Sequence, residues 1–173
     1  MTMKRLVEEE TVIKVYQADP HDSMVLLHWY LELVNTGDID KVLFPSNHSL
    51  GLFMQYFNNF SEVRLVYVTD DRGEIQFAAW GTQMSPGVIF FSIWLRKKLR
   101  STKEGAQIVL DIYNAVFSVY QVVLGITKQE RLLKVHKKLG YTVIDEIPKG
   151  WAGTEDAWMV LLTKDSFLAA TGG

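Results

Sequence analysis

Between residues 11 and 17, TVIKVYQ alternates apolar and polar positions with the period of two that a half-buried strand requires. DPHDS (19–23) then supplies cap residues and a helix-starting proline, and MVLLHWYLELV continues as a helix that Gly37 is suited to stop. That helix is apolar nearly all round, which predicts cover on more than one side. Residues 38–60 carry one or two further helical pieces, interrupted at Phe44-Pro45-Ser46-Asn47. A clearer pattern follows. SEVRLVYV (61–68), DDRG (70–73), EIQFAAWG (74–81), SPG (85–87) and VIFFSIWL (88–95) read as three strands joined by turn residues. The period then predicts a helix over Ala106–Phe117, a strand over Tyr120–Thr127, a helix over Gln129–Leu139 and a strand over Tyr141–Ile147. Glycine and tryptophan mark a loop at 149–153, and AWMVLLT (157–163) closes the pattern as a last strand.

An antiparallel meander leading into βαβ units predicts an α/β fold, a mixed sheet with helices packed on it. At 173 residues, 48% of them apolar, the chain is expected to form one domain over 1–173. A net charge of -2 with scattered cations argues against nucleic acid as a partner. The absence of cysteine excludes disulfides, thiolate catalysis and cysteine-held zinc, and it is compatible with a reducing compartment. No His/Asp/Glu group has metal-ligand spacing, so no metal is expected. MTMKRLVEEE has no apolar h-region, and no apolar run reaches the ~18–20 residues of a membrane span. A soluble, cytoplasmic protein without membrane attachment is therefore expected.

Two stretches carry candidate chemistry. In LRSTKEGAQIVL (99–110) a strand runs into two hydroxyl residues, two cations and a glycine before a helix begins. Unpaired N–H groups and the positive end of a helix dipole favour an anion there. Ser101 and Glu104 also have capping-box spacing, so a capped helix with solvated cations explains the same residues. In TKQERLLKVHKKLGY (127–141), Thr127 and Glu130 have capping-box spacing too, and Leu132, Leu133, Val135 and Leu139 supply a buried stripe. Arg131, Lys134, Lys137 and Lys138 lie mostly on the wet side, and Gly140 stops the helix. His136 is spaced to sit on or beside the stripe. It reads either as a core-edge histidine or as a proton donor working near neutral pH.

Here the chain resembles the GCN5-related N-acetyltransferases, an acyl-CoA-dependent family. The family's helix after the fifth strand reads Asn-x-x-Ala-x-x-x-Tyr-x-Lys-x-Gly-Phe. Gln129, Leu132, His136, Lys138, Gly140 and Tyr141 stand in that register. The other signature, Arg/Gln-x-x-Gly-x-Gly/Ala after the fourth strand, aligns with Arg100-Ser101-Thr102-Lys103-Glu104-Gly105, with Lys103 at the first glycine. The order of elements agrees from about residue 10 to about residue 165.

The resemblance implies a central mixed sheet whose fourth and fifth strands splay, with acetyl-CoA as co-substrate between them. It implies that Arg100, Ser101, Thr102, Lys103, Glu104, Gly105 and Ala106 hold the pyrophosphate, and that Ile93, Leu95 and Lys97 offer main-chain groups to the pantetheine. It also assigns Gln129 to coenzyme A and His136, at the family's tyrosine, to protonation of the leaving thiolate. A primary amine, on a small molecule or a protein, would attack the thioester directly in a ternary complex. The Cβ of Lys103 is expected to demand a backbone conformation different from glycine's.

For the base that relieves the amine of its proton, VIFFSIWL offers only Ser92 as a polar residue, which leaves Glu62, Glu74 and Asp156 as unranked candidates. His28 and His48 lie where the family builds its acceptor pocket, although packed or loop histidines account for both. Trp29, Trp80, Trp94 and Trp158 suit a core or pocket lining, and Trp151, if exposed, a substrate or partner surface. Lys103, the missing strand carboxylate and the absent tyrosine also fit a second reading. In it the chain keeps the fold but acts by binding a partner protein, as a phage-type modulator would. A nucleotide-binding α/β domain is disfavoured by a meander that precedes the glycine turn. The oligomeric state stays open, the family often forming homodimers through its terminal strands.

Overall fold

The computed structural model describes residues 13–15, 20–42, 48–58, 63–70, 72–151 and 154–172. Along the chain these form β1 (Ile13–Val15), α1 (Pro20–Thr36), α2 (Ile39–Val42), α3 (Leu50–Asn58), β2 (Val63–Thr69), β3 (Ile75–Ser85), β4 (Val88–Leu95), α4 (Lys103–Phe117), β5 (Val122–Thr127), α5 (Glu130–Lys138), β6 (Thr142–Trp151), β7 (Glu155–Thr163) and α6 (Lys164–Thr171). The expected mixed α/β order is present. The described residues group into two compact units, one with residues up to Gly81 plus Ser92–Ala115, the other with Thr82–Phe91 plus the residues from Val116 on. β3 and β4 each run from one unit into the other.

In the first unit the strand order is β1-β2-β3-β4, with β1 antiparallel to β2. α1 ends as its sequence dictates. Gly37 takes φ 68°, its N–H donates to the Val34 carbonyl at 3.2 Å, and the Asp38 N–H reaches the Leu33 carbonyl at 2.9 Å. This Schellman geometry closes the helix and turns Asp38 inward, where it is 5% exposed. Val25, Leu26, Trp29 and Leu33 of α1 pack with Phe53, Phe57, Trp80 and Trp94 in one core. Trp29 stands at its centre, with ring centroids 5.6–5.9 Å from Phe53, Phe57, Trp80 and Trp94. A second cluster joins Val68, Phe77, Leu99 and Ile108, with Leu95 and Ile112 against it. On the rest of α1, Met24, Leu31 and Val34 are about half exposed.

In the second unit the order is β3-β4-β5-β7-β6. β4 and β5 are parallel over three pairs, Val88↔Val122 to Phe90↔Leu124. The pairs lie at the starts of both strands, within this unit. β5 pairs antiparallel with β7 over its whole length, and β6 pairs with β7 through two register shifts. The loop expected at 149–153 is strand as far as Trp151, which is 6% exposed and so offers no partner surface. Nor does β7 close the chain. Thr163 accepts from the Ser166 N–H at 3.1 Å and starts α6, which the periodicity did not suggest because only two turns follow. Gly140, at φ 91°, ends α5 so close to α6 that a Cβ would lie 2.3 Å from the Ser166 carbonyl oxygen. The expected break at Phe44-Pro45-Ser46-Asn47, candidate Glu62 and the end residues of strands 11–17 and 61–68 lie outside the described residues.

Candidate functional site

The residues from Ile93 to Ala106 belong to the first unit and form a continuous segment. β4 ends at Leu95, and the Arg96 N–H donates to the Gln76 carbonyl of β3 at 2.9 Å. Strand alternation then turns the main-chain groups of Leu95 and Ile93 to the edge away from β3. That parity agrees with their expected use. The Leu95 carbonyl, however, already accepts from Arg100 Nε at 2.7 Å. Lys97 lies outside the strand, opening a 3-10 turn (Lys97–Leu99) whose first carbonyl accepts the Arg100 N–H at 3.2 Å.

Arg100 is drawn inward. Its guanidinium forms an ion pair with Asp38, stands 5.8 Å from the Trp94 ring, and shares the Asp38 carboxylate with Trp94 Nε1 at 3.4 Å. Asp38 is thus a buried anchor for the turn that precedes α4. No local pattern marked it, since an aspartate after a helix-ending glycine usually faces water. Arg96 makes a parallel network, reaching Glu32 and Glu74 at 2.5 Å each. Burial raises the Glu32 pKa above its usual value; Arg96 pulls it back, and Glu74 and Asp38 push it up. Glu74, a sequence candidate for the base, is therefore paired, and Asp156 accepts the Lys149 N–H at 2.9 Å.

The start of α4 differs from the capping box expected at Ser101 and Glu104. Thr102 is the cap: its hydroxyl accepts from the Gly105 N–H at 3.0 Å and donates to the Leu99 carbonyl at 2.8 Å. Gly105 is required by close approach, because a Cβ on it would lie 2.0 Å from the Leu99 carbonyl oxygen. Strain sits at Ser101, with φ 65°, and not at Lys103, which opens the helix with a negative φ. The side chain of Lys103 therefore demands no unusual backbone. Ala106 is the first residue whose N–H is taken by an α-helical carbonyl, that of Thr102 at 3.0 Å. Among the described residues, the N–H groups of Ser101, Lys103 and Glu104 have no acceptor. Three donors, the helix dipole and the exposed Lys103 make this turn fit an anionic diphosphate.

In the second unit, α5 begins later than its sequence suggests. Gln129 is the cap residue and makes no side-chain cap bond, while the Thr127 hydroxyl accepts the Gln129 N–H at 3.2 Å. The capping box with Glu130 does not form. Gln129 Oε1 accepts from Arg131 at 3.1 and 3.3 Å. Val135, expected in the buried stripe, is 51% exposed, because α5 turns only Leu132, Leu133, His136 and Leu139 partly inward. The His136 ring lies 4.9 Å from the Tyr141 ring, centroid to centroid, and its Nδ1 is buried without a hydrogen-bond partner. Burial lowers its pKa below the usual 6.5. In the first unit, His28 is exposed on α1 and the His48 carbonyl accepts from the Tyr30 hydroxyl at 2.8 Å.

No protein-family model matches the sequence, and no curated protein does. Solved structures do. Spermidine N-acetyltransferase from Vibrio cholerae, in complex with CoA and spermine, matches with a TM-score of 0.64 at 9% identity, over 90% of this chain and 98% of that one. A GCN5-related N-acetyltransferase from Kribbella flavida matches at 0.60 and 15% identity, over 87% and 97%. A Chromobacterium violaceum protein described as a GNAT-family acetyltransferase matches at 0.69 and 12%, over 91% and 84%. The chain has the fold of these acetyltransferases.

Proposed function

We propose that the chain is an acyl-CoA-dependent N-acyltransferase that moves acetyl from acetyl-CoA to a primary amine. The observation that carries this reading is the turn at 101–104. Three N–H groups without acceptors, an exposed lysine and a helix N-terminus converge where the fold's diphosphate signature falls in the sequence. Because Arg100 is held by Asp38, the positive charge offered to the diphosphate comes from Lys103 and the helix dipole.

The amine nitrogen attacks the thioester carbon, a C–N bond forms, the C–S bond breaks, and the sulfur leaves with the electron pair. The absence of cysteine agrees with this one-step transfer, in which no cysteinyl acyl-enzyme forms. Orientation of the two reactants supplies most of the acceleration, and well-oriented pairs gain roughly 7–11 kcal/mol.

Acetyl-CoA at 100 times its dissociation constant is expected to stabilise the protein by about 2.7 kcal/mol in thermal melts. Free thiol release with polyamine or other primary-amine acceptors then reports transfer. No stabilisation at millimolar acetyl-CoA rejects the reading in favour of a partner-binding protein of the same fold. That second reading is favoured by one feature, the half-exposed Met24, Leu31 and Val34 on α1, which leave an apolar face open.

A further inference from the structure

α1 carries an exposed seam. Met24, His28, Leu31 and Asn35 are exposed and follow one another at intervals of four, three and four residues. At about 100° per residue they fall within an arc of about 60°. That arc lies away from the side where Val25, Leu26, Trp29 and Leu33 enter the core. Val34 borders the seam, and Met24, Leu31 and Val34 are 46–52% exposed. Alternating steps of three and four are the spacing by which two helices interlock side by side.

Charge narrows what can lie there. Among the described side chains of α1, Asp22 is buried and Glu32 is paired with Arg96. The exposed positions of the helix therefore carry no lysine, arginine or carboxylate. An anionic membrane or a charged partner would be met by opposite charge beside the apolar residues, and none is offered. A second copy of the helix needs none, because across a two-fold axis a charged seam would meet its own sign. The spacing suits self-pairing as well. Intervals of four, three and four read the same from either end, so an antiparallel copy meets the seam in register. Met24 then faces Asn35 of the second copy, and His28 faces Leu31 of the second copy.

We propose that the exposed face of α1 pairs two copies of this chain, helix against antiparallel helix, about a two-fold axis between His28 and Leu31. This surface is not one of the terminal strands, and the pairing does not depend on the acetyltransferase reading. One helix face buries less than the roughly 800 Å² per partner of a standard interface, so the association is expected to be reversible.

Sedimentation velocity across a wide range of protein concentration tests the pairing. The parent is expected to pass reversibly from monomer to dimer. Leu31→Glu and His28→Lys are each expected to weaken the dimer about tenfold or more. Their thermal melts should match that of the dilute parent, since both positions are exposed. In the antiparallel register the two substituted positions face each other, so an equimolar mixture of the two variants is expected to pair more tightly than either alone. A parent that stays monomeric overturns the proposal and leaves the face to a different protein. A dimer that Leu31→Glu leaves unchanged overturns it by placing the contact on another surface, and a mixture no tighter than its components overturns the register. Should Leu31→Glu fail to fold, His28→Lys carries the comparison with the parent. Each of these outcomes stands whether or not the protein binds acetyl-CoA.

Discussion

The start of α4 and the helix α5 carry the two signatures by which the sequence resembles acetyltransferases, yet they are held in different ways. The turn at 95–106 is fixed by side chains: Arg100 on Asp38 and the Leu95 carbonyl, Thr102 on the Gly105 N–H, and Gly105 against Leu99. α5 has no side-chain cap and no fully buried residue. It is fastened at its end, where Leu139, Gly140 and Tyr141 donate to carbonyls of its last turn and Gly140 abuts α6. The contrast separates a turn whose free N–H groups are immobilised by side chains from a helix positioned only at its end.

The sharpest way to break this comparison is Gly105→Ala. The new Cβ meets backbone, which cannot rotate away, so the turn must open; the expected loss is about 3 kcal/mol by urea denaturation, with loss of the acetyl-CoA response. Val135→Ala on α5 is the control and should cost less than about 0.5 kcal/mol. Similar losses in the two variants would dissolve the distinction.

Asp38→Ala comes next, at about 2 kcal/mol. It leaves Arg100 without its carboxylate and Trp94 Nε1 without an acceptor. Freed, Arg100 is expected to release the Leu95 carbonyl and weaken the acetyl-CoA thermal shift. An unchanged shift would mean that the anchor serves stability alone.

These two residues also mark what could be read from sequence. Gly105 was legible because a signature placed a glycine there, although the physical reason, the carbonyl of Leu99, depends on how a 3-10 turn folds back. Asp38 was not legible: it is 62 residues from Arg100, and its burial follows from the Schellman turn at Gly37 and from the depth of the core beneath it. The strand and helix order was legible because the apolar periods were long. α6 was missed because two turns carry too little period, and the extension of β6 to Trp151 was missed because its irregular register and the positive φ of Lys149 look like a loop. Both capping boxes failed for one reason. The chain started each helix one or two residues later, where the preceding turn let it.

A smaller effect sharpens the account of the α4 turn. Ser101 holds φ 65°, a conformation that side chains with a Cβ resist, and it is exposed. Ser101→Gly relieves that resistance and gives back part of the gain as chain entropy, for a net stabilisation of about 0.5 kcal/mol. Acetyl-CoA binding should be retained, since the residue's N–H is unaltered. Destabilisation instead would show that the serine side chain itself supports the turn.

The smallest effect expected lies in α5 and appears only as a slope. His136 has a folded-state pKa below 6.5, so the folded protein binds its proton less readily than the unfolded chain does. Above pH 6.5 both states are neutral at this ring and its contribution to stability is fully present. As pH falls from 6.5 toward the lower folded value, the unfolded chain takes up the proton first and that contribution is lost. His136→Phe removes the difference, so its melting temperature should fall less than the parent's between pH 7 and pH 5, with the two curves parallel above pH 7. If the parent melts higher at pH 5 than at pH 7 relative to His136→Phe, the ring is stabilised by its charge in the fold. Burial of the unpartnered Nδ1 would then not be what sets the ring's titration.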